Sequence, residues 1–263
     1  MNHFQNKVAW ITGASSGIGK ELAIQLDKKG ALLVLSARNE EELNNLNTQL
    51  KGDNHLVLPL DLMEPDTFER LTSQVISKFE KIDYLFNSGG VSQRSEVHET
   101  SLEIDRKLME VNYFGNIALT KAVLPYMRQE KSGHIVVTSS IAGKFGFFLR
   151  SAYCASKHAL HGFYESLLLE EEKNNIHVTL VCPGKIKTPI SVNALTADGS
   201  KHGQMDDNQA TGMPVEECVT QMLIGTTKKK KEVLIGNKEI NAVKLKRFFP
   251  SLFWKIIRKQ KAQ

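Results

Sequence analysis

The sequence predicts an α/β fold, a doubly wound parallel sheet of about seven strands with helices on both faces. Short apolar runs at residues 7–12, 31–37, 55–60, 83–87, 133–139, 177–182 and 232–235 alternate with helical stretches. That alternation argues for parallel strands covered by helices. The 263 residues suffice for one substantial core, and no repeat, low-complexity linker or second domain is visible.

The first run, Lys7 to Thr12, passes straight into Gly13-Ala14-Ser15-Ser16-Gly17-Ile18-Gly19. From Lys20 to Lys29, Leu22, Ala23, Ile24 and Leu26 recur as on a buried helix. Strand, glycine turn and helix together are the context a dinucleotide site requires. Glycines allow positive φ and close approach of a pyrophosphate, which the helix N-terminus then faces. Two rival motifs fail on spacing. Ser15 stands where the second Gly of G-x-G-x-x-G belongs. Gly13 is one residue too far from Gly19-Lys20 for a Walker A loop, and Glu21 replaces its Ser/Thr.

The second strand, Ala31 to Ala37, ends without the Asp or Glu that binds both ribose hydroxyls in NAD-selective folds. Arg38 follows instead, and a guanidinium pairs with a 2′-phosphate that an acid would repel. NADP(H) is therefore the expected cofactor, with NAD(H) second. The alternative for Arg38 is an exposed turn residue paired with Glu40 and Glu41.

Tyr153 and Lys157 are four residues apart, so on a helix they share a face. A fixed ammonium there can depress the phenol pKa; bringing it from ~10 toward neutrality takes about 4 kcal/mol. That would make a general acid and base usable near pH 7. Taken alone, the pair reads first as an ordinary solvated helix surface.

The wider pattern decides between these readings. Thr12-Gly13-x-x-x-Gly17-Ile18-Gly19, Asn87-Ser88-Gly89-Gly90, Asn112, Thr138-Ser139-Ser140, Tyr153-x-x-x-Lys157 and Pro183-Gly184-x-x-x-Thr188 follow one another between residues 7 and 188. In order and spacing they resemble the short-chain dehydrogenase/reductase family, with Ser88 and Gly89 departing from its Asn-Asn-Ala-Gly. Arg150 to Ala159, Ala194 to Ser200, Asp206-Asp207 and Pro214 to Glu217 resemble the branch formed by that family's members 7 and 7B.

The resemblance implies a Rossmann-type sheet of order 3-2-1-4-5-6-7. It implies nucleotide contacts at Gly13, Ser15, Ser16, Gly17, Ile18, Gly19 and Arg38. Asp61 and Leu62 would lie at the adenine, although Asp61 also reads as the cap of a turn. Asn87, Gly89, Tyr153, Lys157, Pro183, Gly184, Ile186 and Thr188 would complete the cofactor set. In catalysis Tyr153 would exchange a proton with a carbonyl or alcohol oxygen, and Ser140 would stabilise developing charge there. Lys157 would lower the Tyr153 pKa and bind the ribose. Asn112, in the fourth helix, would hold a water in a proton relay. The hydride step belongs to the cofactor. Homodimers or homotetramers are common in the family.

Other histidines read otherwise. His134 and His177 begin strands and are expected as partly exposed turn residues. His158 and His161 share the Tyr153 helix without acidic or Cys companions, so no metal site is expected. Three Cys with no CxxC spacing suggest no disulfide framework. With no secretory signal and no apolar run near ~20 residues, a cytoplasmic protein is expected.

The formal charge of +5 is unevenly placed. Lys228 to Lys231 reads as a solvated turn, and residues 244–261 carry seven Lys or Arg and no acid. Without these two segments the balance turns negative, which argues against a nucleic-acid surface. The domain is expected to span 1–243, with a substrate lid at 185–213 and a basic, aromatic tail at 244–263. The tail either packs on the domain or a partner subunit, or lies in a membrane interface; Pro250 interrupts a continuous amphipathic helix and favours packing. Phe145, Phe147, Phe148 and Leu149 follow the fifth strand and suggest a lipophilic carbonyl or secondary alcohol as substrate. A subunit interface is the alternative for these phenylalanines. A lipid-binding or regulatory protein on the same scaffold is the second reading of function.

Overall fold

The structure, a computed structural model, describes residues 3–260. Met1, Asn2 and residues 261–263, which fall in the expected domain and tail, lie outside the described residues. Strands β1 (Val8–Thr12), β2 (Leu32–Ser36), β3 (Leu56–Val57), β4 (Tyr84–Asn87), β5 (Gly133–Thr138), β6 (Ile176–Pro183) and β7 (Glu232–Ile235) form one sheet of order 3-2-1-4-5-6-7. Every pairing is parallel. The helices are α1 (Gly17–Asp27), α2 (Glu40–Asn47), α3 (Phe68–Phe79), α4 (Leu102–Met109), α5 (Gly115–Gln129), α6 (Ser151–Glu171), α7 (Asp207–Ala210), α8 (Val215–Thr227), α9 (Asn241–Phe248) and α10 (Pro250–Ile257).

Side chains alternate across the sheet with the strand period of two. Ala9, Ile11, Leu33, Leu35, Phe86 and Val181 pack with Leu22, Leu26, Leu43 and Met222 of α1, α2 and α8. Val8, Trp10, Val34, Leu85, Ile135 and Val137 pack with Val75, Leu119, Val123 and Leu160 of α3, α5 and α6 on the other face. Two covered faces explain why the strands read as unbroken apolar runs.

Two expectations are corrected. β3 covers only Leu56–Val57, not 55–60. It is the sheet edge, and Pro59 has no N–H to donate. The Leu58 and Leu60 amides still bond to Leu35 and Ala37. His134 is buried within β5, and its Nε2 lies 2.8 Å from Thr179 Oγ1 on β6. Its neighbours on adjacent strands close over the ring, which its place at a strand start did not reveal.

The strand order reverses between β1 and β4, and the carboxyl ends of these strands open onto one cleft. Ligands bind at such switch points in doubly wound sheets.

Candidate active site

The glycine turn follows β1 with φ of +69° at Gly13 and +53° at Gly17. A Cβ on Gly13 would lie 2.9 Å from Gly89 Cα, and one on Gly19 only 2.2 Å from Gly13 O. No side chain caps the start of α1 at Ser16. Thr12 Oγ1 accepts from the Ser88 and Gly89 amides at 3.0 Å each, tying the ends of β1 and β4 together. From here a cleft of about 1890 Å³ runs across the strand ends. That exceeds the ~300–1,000 Å³ usual for one small ligand, so it has room for two molecules.

Gly13, Ser15, Ser16, Gly17, Ile18, Gly19, Arg38, Asp61, Leu62 and Gly89 all line this cleft. Arg38 is exposed at its rim and pairs with no carboxylate among the described residues, Glu40 and Glu41 included. Asp61 Oδ1 accepts from the Met63 amide at 3.0 Å, the turn cap the sequence also suggested. Asn87 departs from expectation. Its side chain is wholly buried behind β4, where Nδ2 donates to Thr120 Oγ1 and Tyr164 OH. It shares the α5 and α6 side of the sheet with Leu85, two residues earlier, and Asn87 does not line the cleft.

Pro183, Gly184, Ile186 and Thr188 form the opposite wall. The Thr188 Cβ lies 3.4 Å from where a Gly17 Cβ would stand. Gln209 Nε2 donates to Ile186 O at 2.5 Å. Lys185 O accepts from the Met213 amide, which closes the base of the segment.

Ser140, Tyr153 and Lys157 meet at the middle of the cleft. Ser140 ends the segment after β5, and its hydroxyl accepts from the Ala142 amide at 3.1 Å. Tyr153 is in the first turn of α6. Burial pushes its phenol up from the ordinary value, while a hydrogen bond with Ser140 and the charges of Arg94 and Arg150 pull the other way. Lys157 Nζ donates to Thr138 O at 2.9 Å and lies 5.8 Å from the Tyr153 ring centroid. Burial lowers its pKa to about 8. The charges that pull the phenol down are those of Arg94 and Arg150 rather than the lysine that the spacing singled out, and with burial the net shift is upward, against the expected lowering.

Asn112 sits in a π-helical turn, Glu110–Phe114, between α4 and α5 rather than in a regular helix. Such turns cluster at functional sites. Its Oδ1 accepts from Val91 N at 2.8 Å, and its Nδ2 donates to Val91 O and Ser156 Oγ. These three bonds fix the side chain against the Val91 backbone and α6.

Sequence reading missed Gln93, Arg94 and the partner of Arg94 in the lid. Arg94 Nε donates to Asp206 Oδ2 at 2.9 Å, and Arg150 Nη2 donates to the same oxygen at 2.9 Å. The boundary expected at 243 falls inside α9. Pro250 begins α10, as its preference for the first helical turn allows. Phe253 is buried with its ring 5.2 Å from that of Phe145, while Leu245, Phe248 and Ile256 line the far end of the cleft. Beneath Ser139, His161 lies near Cys182 and Glu232, companions distant in sequence. Lys144 bonds both His161 Nδ1 and Glu232, which supplies the positive charge of that group. No described helix is long and apolar enough to cross a membrane.

The comparisons agree with this architecture. A family model described as short chain dehydrogenase matches residues 7–198. The chain therefore belongs to the short-chain dehydrogenase/reductase family and is an oxidoreductase of the NAD(P)-dependent kind. It is 42% identical to dehydrogenase/reductase SDR family member 7B of Mus musculus over 262 residues, covering 97% of this chain and 81% of that one. It is 43% identical to member 7 of Homo sapiens over 260 residues, covering 96% and 77%. Among solved structures, a short-chain dehydrogenase from Streptomyces avermitilis superposes with a TM-score of 0.83 at 26% identity, covering 96% of this chain and 95% of that one. A second, from Burkholderia phymatum in complex with NAD, superposes at 0.82 with 23% identity, covering 100% and 98%, and attests the fold.

Proposed function

We propose that the chain is an NADP(H)-dependent oxidoreductase that interconverts a lipophilic carbonyl compound and its secondary alcohol, with Tyr153 as general acid and base. The observation that carries this reading is the convergence of Ser140, Tyr153 and Lys157 in one cleft with the glycine cradle. A Cβ at Gly13 or Gly19 would strike backbone, so the turn is shaped for close approach of a ligand, and the uncapped N-terminus of α1 suits a pyrophosphate. These residues fit a dinucleotide, and a solved structure of the same fold is described as a complex with NAD. Arg38 beside Ala37 favours the 2′-phosphate of NADP(H) over NAD(H).

When bound, the nicotinamide gives or takes the hydride. The protein manages the proton. A phenol raised by burial is protonated near neutrality, which suits Tyr153 to donate to a carbonyl oxygen. The Ser140 hydrogen bond, Arg94 and Arg150 then stabilise the phenolate left behind. Lys157, with a pKa near about 8, can return a proton at neutral pH. In the proposed relay the Asn112 carbonyl holds the water, since its side chain fixes the Val91 wall. Ser140 polarises the substrate carbonyl.

Phe145, Phe147, Leu245 and Phe248 along the far cleft favour a lipophilic substrate. Phe248, Phe249 and Trp254 stand exposed among the basic residues of the tail, which supports peripheral membrane contact of an otherwise cytoplasmic chain. The exposed Phe114 and Leu169, beside and on the long helices, suit a homodimer or homotetramer. A purely lipid-binding scaffold is not favoured, because the proton-handling groups are assembled.

Isothermal titration with NADPH and with NADH tests the cofactor, and steady-state turnover of lipophilic ketones tests the chemistry. Tight NADPH binding is expected with weak NADH binding. Tyr153→Phe should abolish turnover and leave cofactor affinity nearly intact; substantial residual turnover overturns the assigned role. Co-sedimentation with anionic vesicles before and after truncation at Ala242 tests the tail, and unchanged binding removes it from membrane contact.

A further inference from the structure

Gln93 is wholly buried, yet it carries an amide that the mechanism leaves unused. Its Oε1 accepts from the backbone N–H groups of Ala152 at 2.9 Å and Tyr153 at 3.3 Å. These are the second and third residues of α6, whose amides a Ser, Thr, Asp or Asn at the N-cap would otherwise satisfy. The N-cap of α6 is Arg150, whose side chain makes no capping bond. A residue nearly sixty positions earlier therefore caps the helix that carries Tyr153 and Lys157.

The other end of the amide is anchored. Nε2 donates to Ser95 Oγ, Thr100 Oγ1 and Ser151 Oγ at 3.1, 3.2 and 3.3 Å. The backbone on either side of Gln93 pairs with the lid: Leu195 N donates to Ser92 O, and Arg94 N donates to Leu195 O. Ser95 N further bonds the carbonyl of Leu149, the residue with φ of +59° that turns the chain into α6. One short segment thus touches the end of β4, the start of α6 and the lid.

We propose that Gln93 is a positioning residue: through its amide it fixes the first turn of α6, and with it the Tyr153 phenol, in register with the segment around Leu195. This rests on the reading of Tyr153 as the proton donor. A neutral acceptor suits the place. A carboxylate would cap equally well but would set a negative charge close to Tyr153 and the two arginines. It would raise the phenol pKa and move the catalytic pH range.

The test uses the full chain with Gln93→Met and Gln93→Glu, and Tyr153→Phe as control. Gln93→Met removes both accepted bonds. It should lower kcat about tenfold or more, since small misplacements at a reacting centre cost up to ~100-fold, while NADPH affinity measured by titration stays within about twofold. Amide hydrogen exchange at Ala152 and Tyr153 should accelerate in the same variant. Gln93→Glu keeps the cap and should move the pH–rate profile upward by about one unit. A folded Gln93→Met with wild-type kcat and wild-type exchange overturns the proposal. If Gln93→Met does not fold, Gln93→Glu decides alone: an unmoved pH–rate profile overturns it. If Tyr153→Phe retains turnover, the reading of Tyr153 fails instead, and the exchange measurement still reports on the cap.

Discussion

Arg94 and Asp206 form a buried ion pair that joins the loop after β4 to the segment 185–213. The two side chains are 3% and 2% exposed, and Asp206 Oδ2 also accepts from Arg150 at 2.9 Å. One carboxylate therefore faces two guanidiniums, and the cluster keeps a net positive charge beside Tyr153. Burial and the nearby Arg94 already push the Arg150 pKa down to about 10, which shows how closely the charges crowd.

Neutralising Asp206 should then be costly. Asp206→Asn keeps the shape but takes the carboxylate away from the buried Arg94 guanidinium. Breaking one partner of a buried pair typically costs about 3–5 kcal/mol. Urea unfolding should show a loss in that range, and KM for substrate should rise as the lid loosens. A loss below about 1 kcal/mol would mean that the Arg94 guanidinium finds water or another acceptor.

Two glycines should respond in opposite ways to the same change. Gly19→Ala places a methyl group 2.2 Å from Gly13 O, so the turn must open. Cofactor affinity should fall about tenfold or more, because the turn and the start of α1 are displaced from the geometry a pyrophosphate needs. Gly162 is exposed on α6, and a Cβ there would meet nothing within 4 Å. Gly162→Ala should stabilise the fold by about 0.4–1 kcal/mol, by restricting the unfolded chain and favouring helix. Calorimetry on both variants, with titration of cofactor into Gly19→Ala, checks the contrast.

How far these features could be read in advance follows from the range of the interactions. Parallel strands buried on both faces announce themselves as unbroken apolar runs, so all seven are visible, and only the edge strand β3 is overdrawn by more than one residue at an end. The glycine turn and the Tyr153–Lys157 pair are local patterns, and local patterns survive in sequence. Gln93 on Tyr153, Arg94 on Asp206 and His161 near Glu232 join segments far apart in the chain and leave no periodic trace. The uncapped Arg150 was the single local hint of Gln93. Asn87 shows the converse, a residue within a recognisable motif whose side chain serves the core.

Cofactor choice should turn on the end of β2. Arg38 is exposed at the cleft rim, where no acid precedes it. Arg38→Asp exchanges a cation for an anion at the position expected to meet the 2′-phosphate. Hydrogen bonds to charged groups contribute about 1.5–3 kcal/mol, so NADPH affinity should fall roughly ten- to a hundredfold while NADH affinity holds or improves. An unchanged ratio would show that Arg38 does not contact the phosphate.

His134 should make the fold sensitive to mild acid. Burial, with the charges of His177 and Lys229 nearby, lowers its pKa from 6.5 to about 3. Its folded form therefore stays neutral at pH values where the unfolded form takes up a proton. The stability this contributes is fully present above the unfolded value, and it is lost as pH falls from about 6.5 toward about 3. At pH 5.5 this one residue should account for a loss of about 1.4 kcal/mol, the cost of one pH unit below the unfolded pKa. Urea unfolding at pH 7.5 and 5.5 measures the difference. In His134→Gln, which cannot titrate but retains an amide to bond Thr179, the difference should shrink by about that amount. If the two proteins lose stability equally on acidification, the ring is protonated in the folded state, and the pH sensitivity lies with other groups such as His161.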